Sequence, residues 1–499
     1  MNRRDFVQAL AAFGAAGALP AFAESPPPFD GRLPWLAPFK GVTDAQQDLR
    51  CDALEVRGRW PAALQGRFYR NGPALFERGG QRYRHWFDGD GMVQQFSIAN
   101  GQVSHRGRLV RTPKLVAEQQ AGRFLYSAFG TRFPSDVQAQ GPDSFNVANT
   151  NAIEHAGRVL AMWEGGSAFA LDPKDLTTIG PVTWQEGLEQ LPFSAHPKLD
   201  ASGNLWNIGT YGTRLVVWHV GPNGRLAKVQ VGETPYPGGM AHDVAITARY
   251  IVLPLPPVKL NFSRLAGGAT IEEAFEYQRQ EPLRILVMRK DDITQRRIFE
   301  LPAQMLFHVG NAFERPDGNI ALSYVAAKDH GFLVRGAVDL MLGRRSDLGD
   351  ASTQVAVLDM TSGRASVESL QDNCEFPRID PRRIGLPARQ LASAASWIAH
   401  PGRGDLLFHG VQLRDLQTGK VQRFDYGVDA VVEEHIVVPK PGRSDELDAW
   451  LVGTTFDARR GVTLLNVLDA RAVAAGPVAQ AALPYWLPLG FHGNFTPAT

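Results

Sequence analysis

The chain has 499 residues, 44% of them hydrophobic, and an almost even balance of 52 basic and 51 acidic residues. This balance excludes the basic footprint of a nucleic-acid-binding protein, and no uninterrupted apolar run reaches the ~18 residues that would predict a transmembrane helix. The two cysteines, Cys51 and Cys374, are too few for a cysteine-rich zinc site. Whether they form one disulfide is left open by the sequence.

The first residues form a segment of their own. Arg3 and Arg4 precede a short apolar run that ends in the small-residue cleavage pattern of residues 21–23. These three parts predict a twin-arginine-type export signal over residues 1–23 and a single mature domain over residues 24–499. We therefore expect a periplasmic protein, and the alternative is an amphipathic or disordered N-terminus.

Most of the remaining chain consists of strand-length runs rich in Val, Ile, Leu and aromatic residues, bounded by turn-forming residues. The clearest runs span residues 249–255, 283–290, 319–325, 353–360, 449–456 and 462–469. Helical patterns are confined to residues 114–129, 268–280 and 332–345, which argues against a doubly wound α/β fold. The sequence thus predicts an all-β protein, either a β-propeller, a large barrel or stacked sandwiches. A propeller would pair the first and last strands and so anchor the C-terminus.

Two glycine-containing segments predict tight turns. "FDGDGMV" (87–93) lacks the further acidic ligands and the closing Glu of a calcium-binding loop, so a turn between strands is favoured. "RNGP" (70–73) has the same composition, and we expect Arg70 to form a structural ion pair.

Four of the twelve histidines follow an apolar or small residue at the apparent end of a strand. They are His196 in "FSAHP", His242 in "GMAHDV", His308 in "LFHVG" and His492 in "GFHGNF". Imidazole is a common metal ligand, and four converging strands could each supply one. The pattern alone leaves two interpretations open, namely the ligands of one metal ion or four unrelated core histidines.

Several ordered motifs resemble those of one known family. They are "GRFYRNGPALF" (66–76), "HWFDGDGMV" (85–93), "LAMWEGGSAFALD" (160–172), "SAHPKLDASGNLW" (194–206), "MAHDVAITARYIVLP" (240–254), "CEFPRIDPR" (374–382), "EEHIVVPKPG" (433–442) and "LPYWLPLGFHGNF" (483–495). The chain resembles the carotenoid cleavage oxygenases, a family that also includes stilbene-cleaving dioxygenases and a retinoid isomerase. The resemblance implies a seven-bladed β-propeller with a helical cap over the active-site face.

The resemblance also implies a metal site. An Fe(2+) ion would lie on the propeller axis, held by His196, His242, His308 and His492. Three glutamates match the family positions that support these ligands, namely Glu164, Glu375 and Glu434. The third match departs from the family, which commonly has Glu-Pro there, so Glu433 is an alternative to Glu434. We expect no catalytic residue beyond the metal centre, because the reaction with O2 needs no protein nucleophile.

The substrate is predicted from two positions that differ from the stilbene-cleaving branch. That branch has a lysine directly before the first glutamate and a tyrosine upstream, and here these positions hold Trp163 and Phe129. With Phe307 as a third lining residue, the pocket favours a hydrocarbon over a phenol. The expected function is the cleavage of a carotenoid or apocarotenoid double bond. A stilbene dioxygenase is the alternative, followed by a non-catalytic propeller that binds an apolar ligand and, remotely, a retinoid isomerase.

A lipophilic substrate of this kind would come from a membrane. Residues 123–133 and 332–342 alternate large apolar residues with arginine, which suits a peripheral membrane contact. Burial of both segments as cap helices is the equal alternative. The sequence does not determine the oligomeric state.

Overall fold

The computed structural model describes residues 29, 31–133, 137, 139–235, 240–346, 350–398 and 407–498. The predicted export signal lies outside these residues. Within them, no helix has both the length and the apolar character that crossing a membrane requires.

Short strands make up most of the described chain. The first group comprises β1 (Asp48–Cys51), β2 (Glu55–Gly58), β3 (Gly66–Leu75), β4 (Glu77–Arg78), β5 (Gln81–Arg82), β6 (Asp90–Ala99), β7 (Gln102–Leu109), β8 (Asn151–His155), β9 (Arg158–Met162), β10 (Phe169–Leu171) and β11 (Thr178–Pro181). The second comprises β12 (Lys198–Leu199), β13 (Leu205–Tyr211), β14 (Arg214–Val220), β15 (Leu226–Glu233), β16 (Ala245–Ile246), β17 (Tyr250–Leu255), β18 (Val258–Leu260), β19 (Phe275–Tyr277), β20 (Leu283–Arg289), β21 (Arg296–Leu301) and β22 (Met305–Glu314). The third comprises β23 (Ile320–Ala327), β24 (Ser352–Leu358), β25 (Ala365–Ser369), β26 (Asn373–Arg378), β27 (Gln390–Ser396), β28 (Gly410–Asp415), β29 (Val421–Asp425), β30 (Ala430–Pro439), β31 (Ala449–Asp457), β32 (Val462–Asp469), β33 (Pro477–Ala482) and β34 (His492–Pro497).

Most of these strands form seven antiparallel sheets of four or five strands, the blades of a β-propeller, while β4 with β5 and β18 with β19 form two further two-stranded sheets. The prediction of a seven-bladed propeller is therefore confirmed. Each blade has one innermost strand, and these strands are β34, β8, β12, β16, β22, β26 and β30. Direct contacts join β8 to β34, β34 to β30, β30 to β26, β26 to β22 and β22 to β16. Apolar side chains fill the space between adjacent blades, for example Leu286 and Met288 against Ile208 and Val217. This packing of sheet on sheet is what buries the faces of strands that are too short to be stable alone.

The ring is closed by both ends of the described chain. The C-terminal β34 is the inner strand of the blade that β3, β6, β7 and β1 complete, with Asn71 opposite His492. The N-terminal β2 in turn is the outer strand of the blade built from β30–β33, with Arg57 opposite Gln480. The expectation that the two ends of the chain close the ring is confirmed, with β34 pairing with β3 rather than with β1, and this explains why His492 is buried so close to the chain end.

The helices are short. They are α1 (Pro113–Ala121), α2 (Phe262–Ala266), α3 (Ile271–Ala274) and α4 (Ala337–Met341), with a π-helical turn at Phe332–Gly336 and 3₁₀ turns at Pro34–Lys40, Asp44–Gln46, Trp86–Asp88, Pro142–Phe145, Pro381–Arg383 and Ala470–Ala475. The predicted helix at 332–345 is present, whereas the other two predictions were too long. Gly122 ends α1 in a left-handed conformation, and the chain after α3 continues as strand β19.

A group of apolar residues packs around α4, in the region where a helical cap was predicted. The 3₁₀ turns at Pro34–Lys40 and Trp86–Asp88 pack against α4, and they share a core with Leu340, Met341 and Phe491. Leu333 is also buried, so the segment 332–342 is anchored in the fold along one side. A cap over the active-site face stays a prediction.

Of the two predicted turns, "RNGP" (70–73) was wrong, because it lies inside β3. "FDGDGMV" (87–93) begins in the 3₁₀ turn Trp86–Asp88 between β5 and β6, as predicted, and continues into β6. The glycines serve close packing here, because a Cβ on Gly72 would lie 2.3 Å from the Cα of Gly490. Arg70 does form the expected ion pair, and its partner is Glu433 on β30.

Both cysteines are free thiols in this structure. Cys374 is fully buried in β26, while Cys51 lies on the outer strand β1 of another blade. Burial also raises the pKa of the Cys374 thiol, so it behaves as a small apolar core residue.

The buried Arg70–Glu433 pair joins the two blades that close the ring. Removing one charge should leave the other buried without a partner, so we expect Glu433→Gln to lower the free energy of unfolding by about 3–5 kcal/mol. Chemical denaturation followed by circular dichroism measures this. The double variant Arg70→Met/Glu433→Gln should lose less, and a single variant within about 0.5 kcal/mol of the wild type would contradict the assignment.

Candidate metal centre

The structure brings the four predicted histidines together where the inner strands converge. His196 and His242 lie shortly before the inner strands β12 and β16, His308 lies in β22, and His492 opens β34. One ring nitrogen from each can be chosen so that all four lie within 4.8 Å of one another. Four different blades therefore supply the cluster.

The ring nitrogens face one another at very short range. The Nε2 of His242 lies 3.0 Å from that of His196 and 3.3 Å from that of His308. Burial and the neighbouring imidazoles hold the pKa of His196 and His242 well below the usual range, so these rings are neutral. Neutral imidazoles whose lone pairs converge are the form that a metal ion binds.

The three predicted glutamates lie on the outer side of three of the rings. The Nδ1 of His308 is 2.5 Å from Glu375 and the Nδ1 of His492 is 3.0 Å from Glu434. Glu164 lies 3.4 Å from the Nδ1 of His242. The hydrogen-bonded carboxylates of Glu375 and Glu434 fix the proton on Nδ1 of their rings and leave Nε2 as the electron-pair donor. The geometry thus selects the tautomer that the cluster needs.

Bulges in three inner strands orient these histidine and glutamate side chains towards the cluster. The pairing of β22 with β23 shifts register between Leu306 and Val309, so His308 stands in a β-bulge. A second shift follows Glu375 in β26, and a third in β30 spans Glu433 and Glu434. Bulges re-aim side chains next to functional sites. In strands of regular alternation, these side chains would face in other directions.

The bulge in β30 also decides between the two adjacent glutamates. Glu434 bonds His492 and accepts from the backbone N–H of Gly493 at 2.7 Å. Glu433 instead bonds Arg70, the Thr454 hydroxyl and the N–H of Gly490. Glu434 therefore occupies the predicted position, and Glu433 is not its substitute.

Electrostatics differ among the glutamates. Burial opposes the ionisation of Glu434, but Arg378 and His492 lower its pKa to about 2. Burial and the Asp243 carboxylate raise the pKa of Glu164 well above its usual value. Although about a third of the Glu164 side chain is accessible, its Oε1 is buried and has no hydrogen-bond partner among the described residues. A cation held by the imidazoles would compensate this carboxylate.

The summed charge of the groups around the cluster also favours a bound cation. The cluster is surrounded by four carboxylates and two cations, namely Glu164, Glu375, Glu434, Asp243, Lys198 and Arg378. When all are ionised they leave a net charge of −2, which one divalent cation neutralises. The residues present therefore fit a divalent metal ion bound by four imidazoles.

Sequence reasoning missed three of these residues. Asp243 directly follows His242, Lys198 lies two positions after His196, and Arg378 lies three positions after Glu375. Their proximity to predicted ligands was the available signal, but a charged residue beside a ligand is more often exposed than buried. Phe376 was also missed. Its φ of 59° is unusual for a bulky residue, and its ring stacks on that of His308.

A row of aromatic rings leads away from the cluster. The ring of Phe307 is 5.4 Å from His242 and 5.6 Å from Phe332. Phe87 continues this aromatic row, 6.2 Å from Phe332 and 5.7 Å from Phe129. Two of the predicted pocket residues therefore belong to one apolar surface that starts at a metal-ligand candidate.

Trp163 lies on a different side of the cluster. It directly precedes Glu164, and its ring packs edge-on against Phe145 at 5.6 Å. The ring also covers Gly165, where a Cβ would lie 2.8 Å from it. The structure thus places an indole beside the glutamate that faces His242, although the described contacts do not join it to the aromatic row.

Comparisons with known proteins agree with this geometry. Residues 42–497 match the family model described as retinal pigment epithelial membrane protein. The chain is 30% identical over 484 residues to the apocarotenoid-15,15'-oxygenase of Synechocystis sp., covering 92% of this chain and 96% of that protein. It is 29% identical over 493 residues to lignostilbene-alpha,beta-dioxygenase isozyme III of Sphingomonas paucimobilis, with 92% and 97% covered.

Solved structures extend the comparison to three dimensions. The crystal structure of cobalt-substituted Synechocystis apocarotenoid oxygenase is similar with a TM-score of 0.83 at 28% identity, covering 93% of this chain and 98% of that one. The Pseudomonas brassicacearum lignostilbene dioxygenase has a TM-score of 0.82 at 27% identity, with 94% and 100% covered.

The contact between Glu434 and His492 can be tested with cobalt(II) as the probe. We expect Glu434→Gln to weaken cobalt(II) binding by about 10- to 100-fold, because the amide no longer fixes the imidazole tautomer as a carboxylate does. Titration followed by visible absorption measures the affinity. Glu154→Gln is the matched control, since Glu154 is also a partly buried, hydrogen-bonded glutamate on an inner strand. Equal binding by both variants would contradict the assigned role.

Proposed function

The chain belongs to the carotenoid cleavage oxygenase family, and we propose that it is an iron(II)-dependent dioxygenase acting on a carotenoid or apocarotenoid. It would split one C=C bond with O2 and leave a carbonyl group on each fragment. One observation carries this proposal, namely the four converging imidazoles whose outer nitrogens meet three carboxylates.

The residues that would hold the ion are His196, His242, His308 and His492. Iron(II) bound there supplies the activation of O2 that cleavage of an electron-rich double bond requires. The protein's part is to hold the rings in one tautomer and to keep the neighbouring space dry. Because the bound iron would supply the chemistry towards O2, no side chain needs to act as a nucleophile.

The apolar surroundings support a hydrocarbon substrate. Phe129 contacts the rings of His85 at 5.0 Å and Phe275 at 5.8 Å. His85 offers no free hydrogen-bonding atom there, because Nε2 bonds the Leu333 carbonyl and Nδ1 accepts from the Phe87 N–H. A phenolic hydroxyl placed beside Phe129 would therefore lose its hydrogen bonds to water without gaining one from these two rings.

Cleavage of a stilbene is the second candidate, and one observation favours it. The chain is nearly as similar to a lignostilbene dioxygenase as to an apocarotenoid oxygenase. The choice between a stilbene and a carotenoid substrate therefore rests on the pocket. There, Trp163 and Phe129 replace the polar residues expected of a phenol-binding site. A non-catalytic propeller is the least favoured, because such a protein would have no need of the three carboxylates behind the rings.

A competition assay tests the reaction and the substrate class together. Protein loaded with iron(II) is mixed with O2, a detergent-dispersed apocarotenal and a 4-hydroxystilbene, and products are identified by mass spectrometry. We expect a shortened polyene aldehyde in excess over any benzaldehyde. The variant Trp163→Lys/Phe129→Tyr should shift the product ratio towards the benzaldehyde by at least about tenfold, since it adds hydrogen-bonding groups for a phenol.

Each outcome of the assay has one meaning. Benzaldehyde as the main product of the wild type would overturn the substrate assignment and leave an oxygenase. No cleavage of either compound by iron-loaded protein would overturn the proposed reaction. Phe424→Tyr, which changes a partly buried ring in another blade, is the control for general effects of an added hydroxyl.

The cellular setting is part of the same proposal. The signal over residues 1–23 supports export to the periplasm, and a lipophilic substrate supports a peripheral membrane contact. Of the two segments considered, 123–133 offers fewer accessible apolar side chains, because Phe124, Leu125 and Phe133 are buried. The π-helical turn at Phe332–Gly336 and the adjacent helices α2 and α3 are the better site, because Phe262 on α2 is 51% exposed there.

Liposome flotation measures this contact. We expect Phe262→Ser to reduce the fraction of protein that floats with anionic vesicles by at least about half, because one large side chain contributes a substantial share of interfacial binding. Ile179→Ser is the matched control, since Ile179 is 63% exposed on the outer strand of a different blade. An equal loss for both variants, or none, would argue against α2 as the membrane contact.

A further inference from the structure

Asp243 is a buried carboxylate that the proposed reaction does not use. It is only 3% exposed and lies between three segments of the propeller. Its Oδ1 accepts from the Lys198 ammonium at 2.7 Å and from the backbone N–H of Val244 at 2.7 Å. Its Oδ2 accepts from the backbone N–H of Val309 at 2.8 Å. Both oxygens are thus fully engaged.

Each of these contacts reaches a segment that carries one of the four histidines. Asp243 itself follows His242 in the chain. Val309 directly follows His308, on the inner strand of the next blade. Lys198 lies two residues after His196, at the start of the preceding inner strand. One side chain therefore connects the backbone or side chains of three neighbouring blades at the places where they present imidazoles.

The hydrogen bond from Val309 to Asp243 lies where β22 lacks regular hydrogen bonds to its neighbouring strand β23. The register of β22 shifts on both sides of Val309, because the bulge at His308 interrupts regular pairing with β23. A strand in a bulge has lost part of its ladder, so its position depends on other hydrogen bonds. The Asp243 carboxylate provides one of them, from the adjacent blade.

A carboxylate is the side chain that suits this position. Three donors converge on it, and one of them is a cation, so two acceptor oxygens with a negative charge satisfy all three. An asparagine would offer one acceptor oxygen and would turn an N–H group towards at least one of the donors. Because the site is buried, an unsatisfied donor there is costly and the segments would move to relieve it.

We propose that Asp243, with Lys198 as its counter-ion, is a positioning residue that sets the distances between His196, His242 and His308. This inference rests on the proposed function only in treating the imidazole cluster as the metal site. Asp243 does not touch the metal or the substrate in this role. It acts through the hydrogen bond to Val309 and the ion pair to Lys198, which lock three ligand segments to one another.

Metal binding gives a readout that is independent of turnover. In Asp243→Asn, the dissociation constant for cobalt(II) should rise by about 10- to 100-fold, the range typical of residues that orient metal ligands. The visible absorption of the bound cobalt(II) should also change, since its bands depend on the arrangement of the ligands. Circular dichroism and thermal melting of the metal-free proteins establish that the variants are folded.

A double variant separates position from charge. Asp243→Asn removes one negative charge from the site, and this alone would weaken binding of a cation. Asp243→Asn/Lys198→Met restores the original sum of charges but leaves Val309 without its carboxylate. The positioning role predicts that the double variant binds cobalt(II) as weakly as the single one, within about threefold, and retains the altered spectrum.

A matched lysine–aspartate pair elsewhere provides the control. Asp469 accepts from Lys440 at 2.9 Å and from the backbone N–H of Arg471 at 2.9 Å, in a blade edge that holds none of the four histidines. Asp469→Asn should therefore bind cobalt(II) with wild-type affinity and spectrum. Weaker binding by this control equal to that of Asp243→Asn would show a general effect of stability and would overturn the proposal.

Two further results would overturn it. The first is wild-type affinity in Asp243→Asn, and the second is recovery of that affinity in the double variant, which would mean that charge alone matters. If Asp243→Asn does not fold, Asp243→Glu keeps the charge and both oxygens but displaces them by one methylene, and the same loss is expected. Wild-type protein that binds cobalt(II) in this pattern yet cleaves no polyene would refute the proposed reaction alone.

Discussion

Four converging imidazoles, whose nitrogen atoms lie within 4.8 Å of one another, are the constraint on which the rest of this structure depends. Neutral rings so placed cannot all satisfy one another by hydrogen bonds, and protonated ones would repel strongly in a buried site. A shared cation resolves the conflict. The surrounding carboxylates with their two cations leave the charge that a divalent ion neutralises, so ligand geometry and local electrostatics point to the same occupant.

The propeller is suited to this arrangement because its inner strands all approach one axis. Each blade can supply one side chain there while its outer strands carry the stability of the fold. The cost is that the site depends on closure of the ring, since His492 is on the last strand and pairs with a strand from the beginning of the domain. The Arg70–Glu433 pair and the Glu434–His492 contact stand on adjacent residues of β30, so ring closure and ligand orientation share one bulge.

The same bulges explain how a regular fold makes an irregular site. Strands that alternate strictly would present every second residue to the axis, whereas β22, β26 and β30 each break register where a functional side chain occurs. A bulge weakens its own ladder, and neighbouring blades supply the missing hydrogen bonds. Asp243 contributes such a bond to Val309. Glu434, in the bulge of β30, is held in place by the N–H of Gly493 on the neighbouring blade. The aromatic row beginning at Phe307 then gives the site one apolar side.

The sequence by itself determined the all-β class, most strand positions, the four histidines and the three glutamates, because periodicity and motifs are local and survive in the linear chain. It left Glu433 as an alternative to Glu434 beside His492, since both residues lie in the bulge of β30, where strand alternation does not decide which side chain faces the axis. It also placed "RNGP" in a turn, because composition cannot show that Gly72 meets Gly490 across the closed ring. Asp243 and Lys198 carried no local signal for burial, and only the packing of three blades decided that they meet.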